Sequence, residues 1–473
     1  MIDIRIDGEP ADLTPAGSLT LERFNPLLDF EAIQGSRVYG FDLPNTPKNR
    51  KLLGYFYQPQ VEYQSRKYRC EKYVYGQLIE QGFVMIHEVK DEGFNMFYTQ
   101  NLGEIFGDSQ RIVLSELGLG IDSVPMAPVA NVNHLTDRYC FPTIQNSGFY
   151  GNQAIAGFNG LMNEYTSTGA TPGYNANARV PMPFLRWVFN QFSALTGWSF
   201  AGQFWQDPDL TRLIFYNLFS LDGQTQINAN NHLPALTVPQ LLIDLRKLFN
   251  LYIECDVRRK VCTMDFSDDV LKNAIVVDWT DKANPKHVKA PELNNRLELS
   301  YALDSNDALL KPIPAPLDKY TTAETTLNEG GSLVSIQSRV STLATDAQTG
   351  RAMTQQPGLS PSNKDSKNDS IPKLLFYNGL VNGEPRASSA HGNRSLTLHG
   401  DRNLVDGYKE FEAFKGNTFS VTKLVYLTAA DLALFSFRNQ VHIKGVNYVV
   451  GSMKAVLSNN QNTIPTEVKL WKK

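Results

Sequence analysis

Hydrophobic and polar positions alternate from the start of the chain. Ile2, Ile4 and Ile6 fall on one face of an extended segment, with Asp3, Arg5 and Asp7 on the other, which predicts a half-buried strand. Asp7-Gly8 turns that strand, and Pro44 with the stretch Lys48 to Leu53 interrupts the pattern before a meander that begins near Tyr57. Tyr68 to Tyr75, Gln77 to Val89 and Phe94 to Gln100 are rich in Tyr, Val, Ile and Phe and predict three further strands. Gly76, Gly82 and Gly93 punctuate them and allow tight turns or bulges. A closed or nearly closed small β-barrel is expected over residues 1–110, because closure removes exposed strand edges.

From about Leu117 to Met182 the periodicity fades into Pro, Gly, Asn and isolated aromatics, including Phe141-Pro142, Phe149-Tyr150-Gly151 and Asn159. A stretch this long without elements of its own is either disordered or laid across another surface. Its aromatics favour the second, since disordered segments are poor in them. Residues 111–182 are therefore expected to form an extended arm spanning a neighbouring subunit, with Phe141, Phe149 and Tyr150 as the candidate contacts.

Residues 183–300 read as two helix-plus-hairpin units. In the first, Pro183 opens a helix whose apolar set is Phe184, Leu185, Val188, Phe192 and Leu195, Gly197 ends it, and two strands surround Asp207-Pro208. In the second, Thr237 and Gln240 have capping-box spacing and Pro239 fits the first turn. Val238, Leu241, Leu242, Leu245, Leu248 and Phe249 make one apolar stripe, Asn250 ends the helix, and Leu251 to Cys255 and Val261 to Phe266 form a hairpin. Residues 301–400 are mixed. Between Thr321 and Pro372 the composition turns to Ser, Thr, Gln, Asn, Asp and Lys, most polar at Ser360 to Asp365, so 321–372 is expected to be a mobile, exposed excursion.

Residues 401–473 return to strands. Phe419 to Tyr426 forms one, Thr428 caps a short helix from Ala429 to Phe435, Gln440 to Ile443 turns at Lys444-Gly445 into Asn447 to Leu457, and Glu467 to Trp471 is the last. This reads as a second small barrel that echoes the first, each with one short helix among its strands. The expected fold class is β-rich α+β: two small β-barrels, N- and C-terminal, with helix-plus-hairpin α+β domains between them.

Composition narrows the function. At 473 residues the chain has room for about three domains. Lys plus Arg is 45 and Asp plus Glu is 48, a formal charge of −3, so there is no polybasic footprint for a duplex or an anionic membrane. The charged fraction is 20%, low for a soluble domain, and aromatics reach 11%, which suits a β-rich protein with much of its surface covered by partners. No run approaches the ~18 apolar residues of a membrane span, and Met1 leads straight into a strand pattern rather than a signal peptide, so a soluble chain made in the cytosol is expected. Cys70, Cys140, Cys255 and Cys262 form no C-x-x-C and read as buried free thiols.

Catalytic signatures are missing. The chain has no G-x-S-x-G elbow, P-loop or H-E-x-x-H, and Gly118-Leu119-Gly120 lacks the third glycine of a dinucleotide loop. His391 and His399, the closest histidine pair, lack helical ligand spacing and a local Cys or carboxylate, so no metal site is assigned. His134, Asp137 and Cys140 would have to meet in space to make a nucleophile relay, and nothing local points to a depressed thiol pKa. Glu164, Asp207 and Asp209 read as turn or surface acids and Trp187, Trp198 and Trp205 as core or its border rather than a sugar platform. No catalytic, cofactor-binding or metal residue is assigned, and the chain is not expected to be an enzyme.

Several stretches resemble the baseplate or tail-tip hub proteins of tailed bacteriophages. These are Phe24-Asn25-Pro26, the run Gly35-Ser36-Arg37-Val38-Tyr39-Gly40-Phe41-Asp42-Leu43-Pro44 with Asn49, and Tyr73-Val74-Tyr75-Gly76-Gln77-Leu78-Ile79-Glu80-Gln81-Gly82-Phe83. They continue with Pro183 to Phe204, Val441 to Val450 and Glu467 to Trp471. The resemblance implies two small barrels per chain, a homotrimer whose six barrels match a sixfold tail tube above and a threefold tip below, and a lumen through which DNA passes unread. It implies as partners the tail tube or distal tail protein, the tape-measure protein and tip or fibre proteins, and as location the virion tail tip, with synthesis in the bacterial host cytoplasm. Longer hubs carry a cell-wall-digesting domain after the second barrel; here the sequence stops there, and no such activity is carried over. The alternatives are a hub of a contractile injection system and a β-rich carbohydrate-active or sugar-binding protein.

Overall fold

Alternation places Ile2, Ile4 and Ile6 on one buried face of β1 (Ile2–Ile6), which pairs antiparallel with β5 (Tyr68–Val74). The computed structural model describes residues 2–14, 19–31, 39–62, 66–99, 111–125, 129–151, 153–167, 172–256, 259–326, 328–359, 370–458 and 463–473. With β2 (Glu9–Pro10), β4 (Tyr39–Pro44), β6 (Gln77–Lys90) and β7 (Gly93–Thr99), these strands make a six-stranded sheet in the order β2-β1-β5-β6-β7-β4. The stretch that breaks the strand pattern is a helix, α1 (Pro47–Leu52), whose Thr46 hydroxyl accepts the Asn49 N–H and whose first residue is proline. The meander starts at Tyr68 rather than Tyr57, because residues near Tyr57 form turns after α1. Tyr75 and Gly76 both have positive φ (49° and 78°), the twist that a two-residue hairpin between β5 and β6 requires. β3 (Leu19–Phe24) leaves this sheet altogether and joins strands from the other end of the chain.

The middle of the chain folds around its own apolar core. α2 (Leu185–Thr196) is capped by Gly197 at φ 75°. β8 (Ser199–Ala201) and β9 (Leu213–Tyr216) join different sheets, so the first expected unit is a helix followed by separated strands and not a helix-plus-hairpin. The second is as read: α3 (Val238–Phe249) carries the Thr237–Gln240 capping box and ends at left-handed Asn250, and β10 (Leu251–Asp256) pairs antiparallel with β11 (Val261–Phe266). The chain then runs out through β12 (Val276–Asp278) and β13 (Ala283–Pro291), which belong to the C-terminal sheet. It returns through β14 (Arg296–Tyr301), β15 (Leu333–Ser338), β16 (Lys373–Val381) and β17 (Glu384–Ser388).

Two segments differ from expectation. Residues 111–182 are built into this core rather than extended as an arm: Tyr139–Cys140 pairs with Met182–Pro183, Ile144–Gln145 pairs with Leu161–Met162 and with Ala352–Met353, and Ile121–Ser123 pairs with Gln226–Asn228. The polar excursion 321–372 is also largely structured, since β15 runs parallel to β14 and Ala344–Thr345 forms a hairpin with Ala352–Met353. Ser360 to Asp365 lie outside the described residues. What makes polar composition compatible with burial is pairing: Asp307 accepts from the Thr354 hydroxyl (2.6 Å) and the Gln355 N–H (2.9 Å), and Asp304 accepts from Gln356 (2.7 Å) and the buried Lys373 ammonium (2.9 Å).

At the C-terminus, β18 (Phe419–Leu427) leads into α4 (Ala429–Leu434), capped by a Thr428–Asp431 box, and then β19 (Gln440–Ile443), β20 (Val446–Leu457) and β21 (Ile464–Lys472). The sheet order is β12-β19-β20-β21-β18-β13, with β3 on β20 as well. Four strands and a helix of this sheet repeat the N-terminal plan, while the flanking strands differ, β1 lying antiparallel on β5 and β12 parallel on β19. In each, a strand runs into a threonine-capped short helix and then three meandering strands, and the first strand pairs with the last, giving β5-β6-β7-β4 and β19-β20-β21-β18. Lys444-Gly445 makes the same positive-φ turn as Tyr75-Gly76 (48° and 84°), and a second glycine follows six residues later in both, at Gly82 and Gly451. Neither sheet closes on itself by a strand ladder among the described residues. In place of two separate barrels there are two open sheets that share one core, from Ile4, Val84 and Met96 to Val425, Met453 and Leu470.

Gly451 marks where close packing forbids a side chain, because a Cβ there would run into the Trp471 ring and Leu28. Gly451→Ala is expected to lower stability by about 1–3 kcal/mol, read from the denaturant midpoint. The Asp304 carboxyl, which burial alone would raise, is held below its ordinary value by Lys373 and Gln356. Its contribution to stability is therefore present at neutral pH and lost as pH falls below about 4. Asp304→Asn is expected to lower the melting temperature at pH 7 and to flatten the acid limb of the melting curve below about pH 4.

Candidate functional site

The chemistry-bearing candidates do not converge. Cys140 is buried against the Met182 carbonyl and burial raises its thiol well above the ordinary value, so it is not a nucleophile poised for attack. Burial, with Arg212 next in effect, lowers His134 to about 4. Glu164 accepts from Asn159 and Asn175, Asp207 holds the Arg394 guanidinium at 2.7 Å, and Asp209 accepts the Asn393 N–H. Trp187 and Trp198 are buried, and the Trp205 indole N–H points at the Met264 sulfur. Cys255 and Cys262 stand opposite each other across the β10–β11 hairpin with sulfurs 2.6 Å apart. Among the described residues no three His, Cys, Asp or Glu side chains are grouped to hold a metal, and no helix is long and apolar enough to cross a membrane.

The aromatic candidates point inward. Phe141 packs edge-on to Tyr139 in a small cluster with Leu221 and Ile227, and Phe149 stacks edge-on against Tyr150 under Gly358. Both are 3% exposed. The Tyr150 hydroxyl donates to Asp222 and accepts the Ala178 N–H at 2.7 Å. The structure thus places all three in or against this chain's own interior.

What the fold does assemble is a joint between its two ends. β3 pairs with β20 from Leu19↔Leu457 to Phe24↔Ser452. Arg23, half-buried, sends its guanidinium to the Leu432 carbonyl of α4 (2.7 Å) and the Ile79 carbonyl of β6 (3.3 Å), tying both sheets to one side chain. Asn25 follows, 2% exposed: its N–H donates to Gly451 O, its amide to Val450 O at 2.8 Å, and its side-chain oxygen caps Leu27. The segment Phe24-Asn25-Pro26 is therefore the hinge piece of the joint. Beside it α4 lies across β6. On the N-terminal sheet, Lys72 and Glu80 face each other across β5 and β6 as an ion pair of 2.9 Å, with side chains only 5% and 2% exposed, and the Lys72 ammonium sits 3.4 Å from the centre of the Tyr98 ring. The repeated glycine spacing was the available signal for this duplication; for Arg23 and Asn25 no local pattern exists, since their partners lie hundreds of residues away.

The outer margins of the joined sheets differ. β13 ends the C-terminal sheet, and every side chain from Pro285 to Pro291 is exposed. On the N-terminal side, Phe56, Tyr57, Pro59 and Val89 line an open groove of about 770 Å³ rimmed by Lys90, Asp91 and Glu92.

No protein-family model matches the sequence, and no curated protein matches it. Solved structures do align along its whole length. The 43 kDa tail protein of prophage MuSo2 from Shewanella oneidensis is 7% identical with a TM-score of 0.39, covering 99% of this chain and 97% of that one. A tail protein from Neisseria meningitidis MC58 is 10% identical with a TM-score of 0.40, covering 100% and 96%. A chain in a lidless PdpA–VgrG complex is 9% identical with a TM-score of 0.35, covering 100% and 64%. The first two of these structural neighbours are phage or bacterial tail proteins by description.

The buried ion pair offers a direct test of how the N-terminal sheet is held. Lys72→Met alone leaves the Glu80 carboxylate buried without its cation and is expected to destabilise the protein by about 3–5 kcal/mol, whereas Lys72→Met with Glu80→Leu restores most of that loss, both measured by chemical unfolding.

Proposed function

We propose that this protein is a structural hub of a phage tail tip or baseplate, a homotrimer that joins a sixfold tail tube to a threefold tip, and that it has no catalytic role. The observation that carries the reading is the repeat of one topology at both ends of the chain, locked side by side through β3 and Arg23. A chain that presents the same module twice supplies six modules from three copies, which is how a threefold assembly can meet a sixfold one. A head-to-tail contact between unlike surfaces closes into a ring when the rotation between copies is right.

Support also comes from the stretches that resemble such hubs. Phe24-Asn25-Pro26 builds the joint, Tyr75-Gly76 forms its hairpin turn, and Val441 to Val450 forms the matching turn in the second module. Tube, tape-measure and tip proteins dock on the ring, and DNA passes through its lumen as cargo; a formal charge of −3 suits a conduit that does not grip it.

Mass photometry of the purified chain, followed by electron microscopy, tests the proposal. The expected outcome is a three-copy particle whose end-on view shows a ring of six similar lobes. A particle that stays monomeric at all concentrations, with and without tube and tip proteins, would overturn it.

A further inference from the structure

We propose that the exposed edge strand β13 of one copy docks in the Phe56–Tyr57–Val89 groove of the next. This rests on the trimeric reading above and names the surfaces that would close the ring.

The first observation is the strand itself. β13 pairs with β18 on one side, while its other edge meets no strand among the described residues, leaving a row of backbone donors and acceptors open. A strand in a sheet ordinarily buries at least one face. β13 buries neither from Pro285 onward, and Val288 and the nearby Leu293 are 70% and 67% exposed. An apolar residue held that far into solvent on an extended edge fits a surface that another chain covers.

The second observation is charge. Lys286 and His287 precede Val288, and Lys289 follows it on the opposite face of the strand, its ammonium 3.8 Å from the centre of the Phe419 ring. The groove offers the complement: an apolar floor from Phe56, Tyr57, Pro59 and Val89, with Asp91 and Glu92 at the β6–β7 turn and Glu88 next to them. Lys90 on the same rim is already engaged by Glu88 at 3.1 Å, while the Asp91 carbonyl accepts the Asn45 amide at 3.0 Å and its carboxylate accepts the Tyr57 hydroxyl at 3.3 Å. A basic edge strand with an exposed valine thus meets an acidic rim around an apolar floor. Since strand and groove are different surfaces, their contact is heterologous and propagates from copy to copy until it closes. The occupant is therefore a second copy of this chain.

Charge reversal with rescue tests the pairing. Lys286→Glu with Lys289→Glu, or Asp91→Lys with Glu92→Lys, is expected to raise the concentration needed for trimer formation by about tenfold or more, and all four substitutions in one chain to restore it. As a second measurement, Pro59→Cys with Val288→Cys is expected to give bonds between chains and a covalent trimer on a non-reducing gel. If the wild-type chain is trimeric while the reversals leave assembly unchanged and the cysteines fail to link, the docking surface is wrong and the trimeric reading stands. If the wild-type chain is monomeric, both fall.

Discussion

Six residues near the start of the chain pair with six near its end in one antiparallel ladder. The pairing of β3 with β20 joins the two terminal sheets, and nearly everything else about the molecule follows from it. Without it, the two sheets would lose a strand ladder that holds their shared apolar core together. With it, Arg23 reaches carbonyls on both modules, Asn25 fills the corner beside Gly451, and one apolar core runs through both sheets. The closure joins residues hundreds of positions apart, so its entropic penalty has to be offset by the core that the two sheets share.

That middle body explains how polar segments can be interior. The Asp304–Lys373–Gln356 cluster and the Asp307–Thr354 bond satisfy groups that would otherwise resist burial, and they connect strands that composition alone marks as an excursion. The same logic governs Lys72 and Glu80. Each charge is out of water, each is paired, and the Tyr98 ring supports the ammonium. Such pairs add little net stability over an apolar core but penalise wrong registers, since a slip by one residue would strand two buried charges. In a protein read as an assembly hub, a fixed register is what keeps its outer edges in position.

Much of the fold was legible from local pattern. The span Gln440 to Ile443, the hairpin strand Val261 to Phe266, the Thr237–Gln240 box and the Thr428 cap all lie where periodicity and capping chemistry put them, because each depends on residues only a few positions apart. The aromatic segment was misread for an equally physical reason. Phe141, Phe149 and Tyr150 carry no periodicity of their own, and whether an aromatic faces its own core or another chain depends on partners such as Ile227, Asp222 and Gly358 that are far away in sequence.

The chain by itself therefore determined which segments become strands and helices, where they turn, and that no familiar catalytic motif is present, since these depend on side-chain chemistry and short-range sterics. Only the tertiary structure decided which sheet each strand enters, that β3 crosses from one module into the other, and that the ends share a core rather than closing separately. Those outcomes are set by hydrogen-bond pairing and burial between residues hundreds of positions apart, which no local window contains.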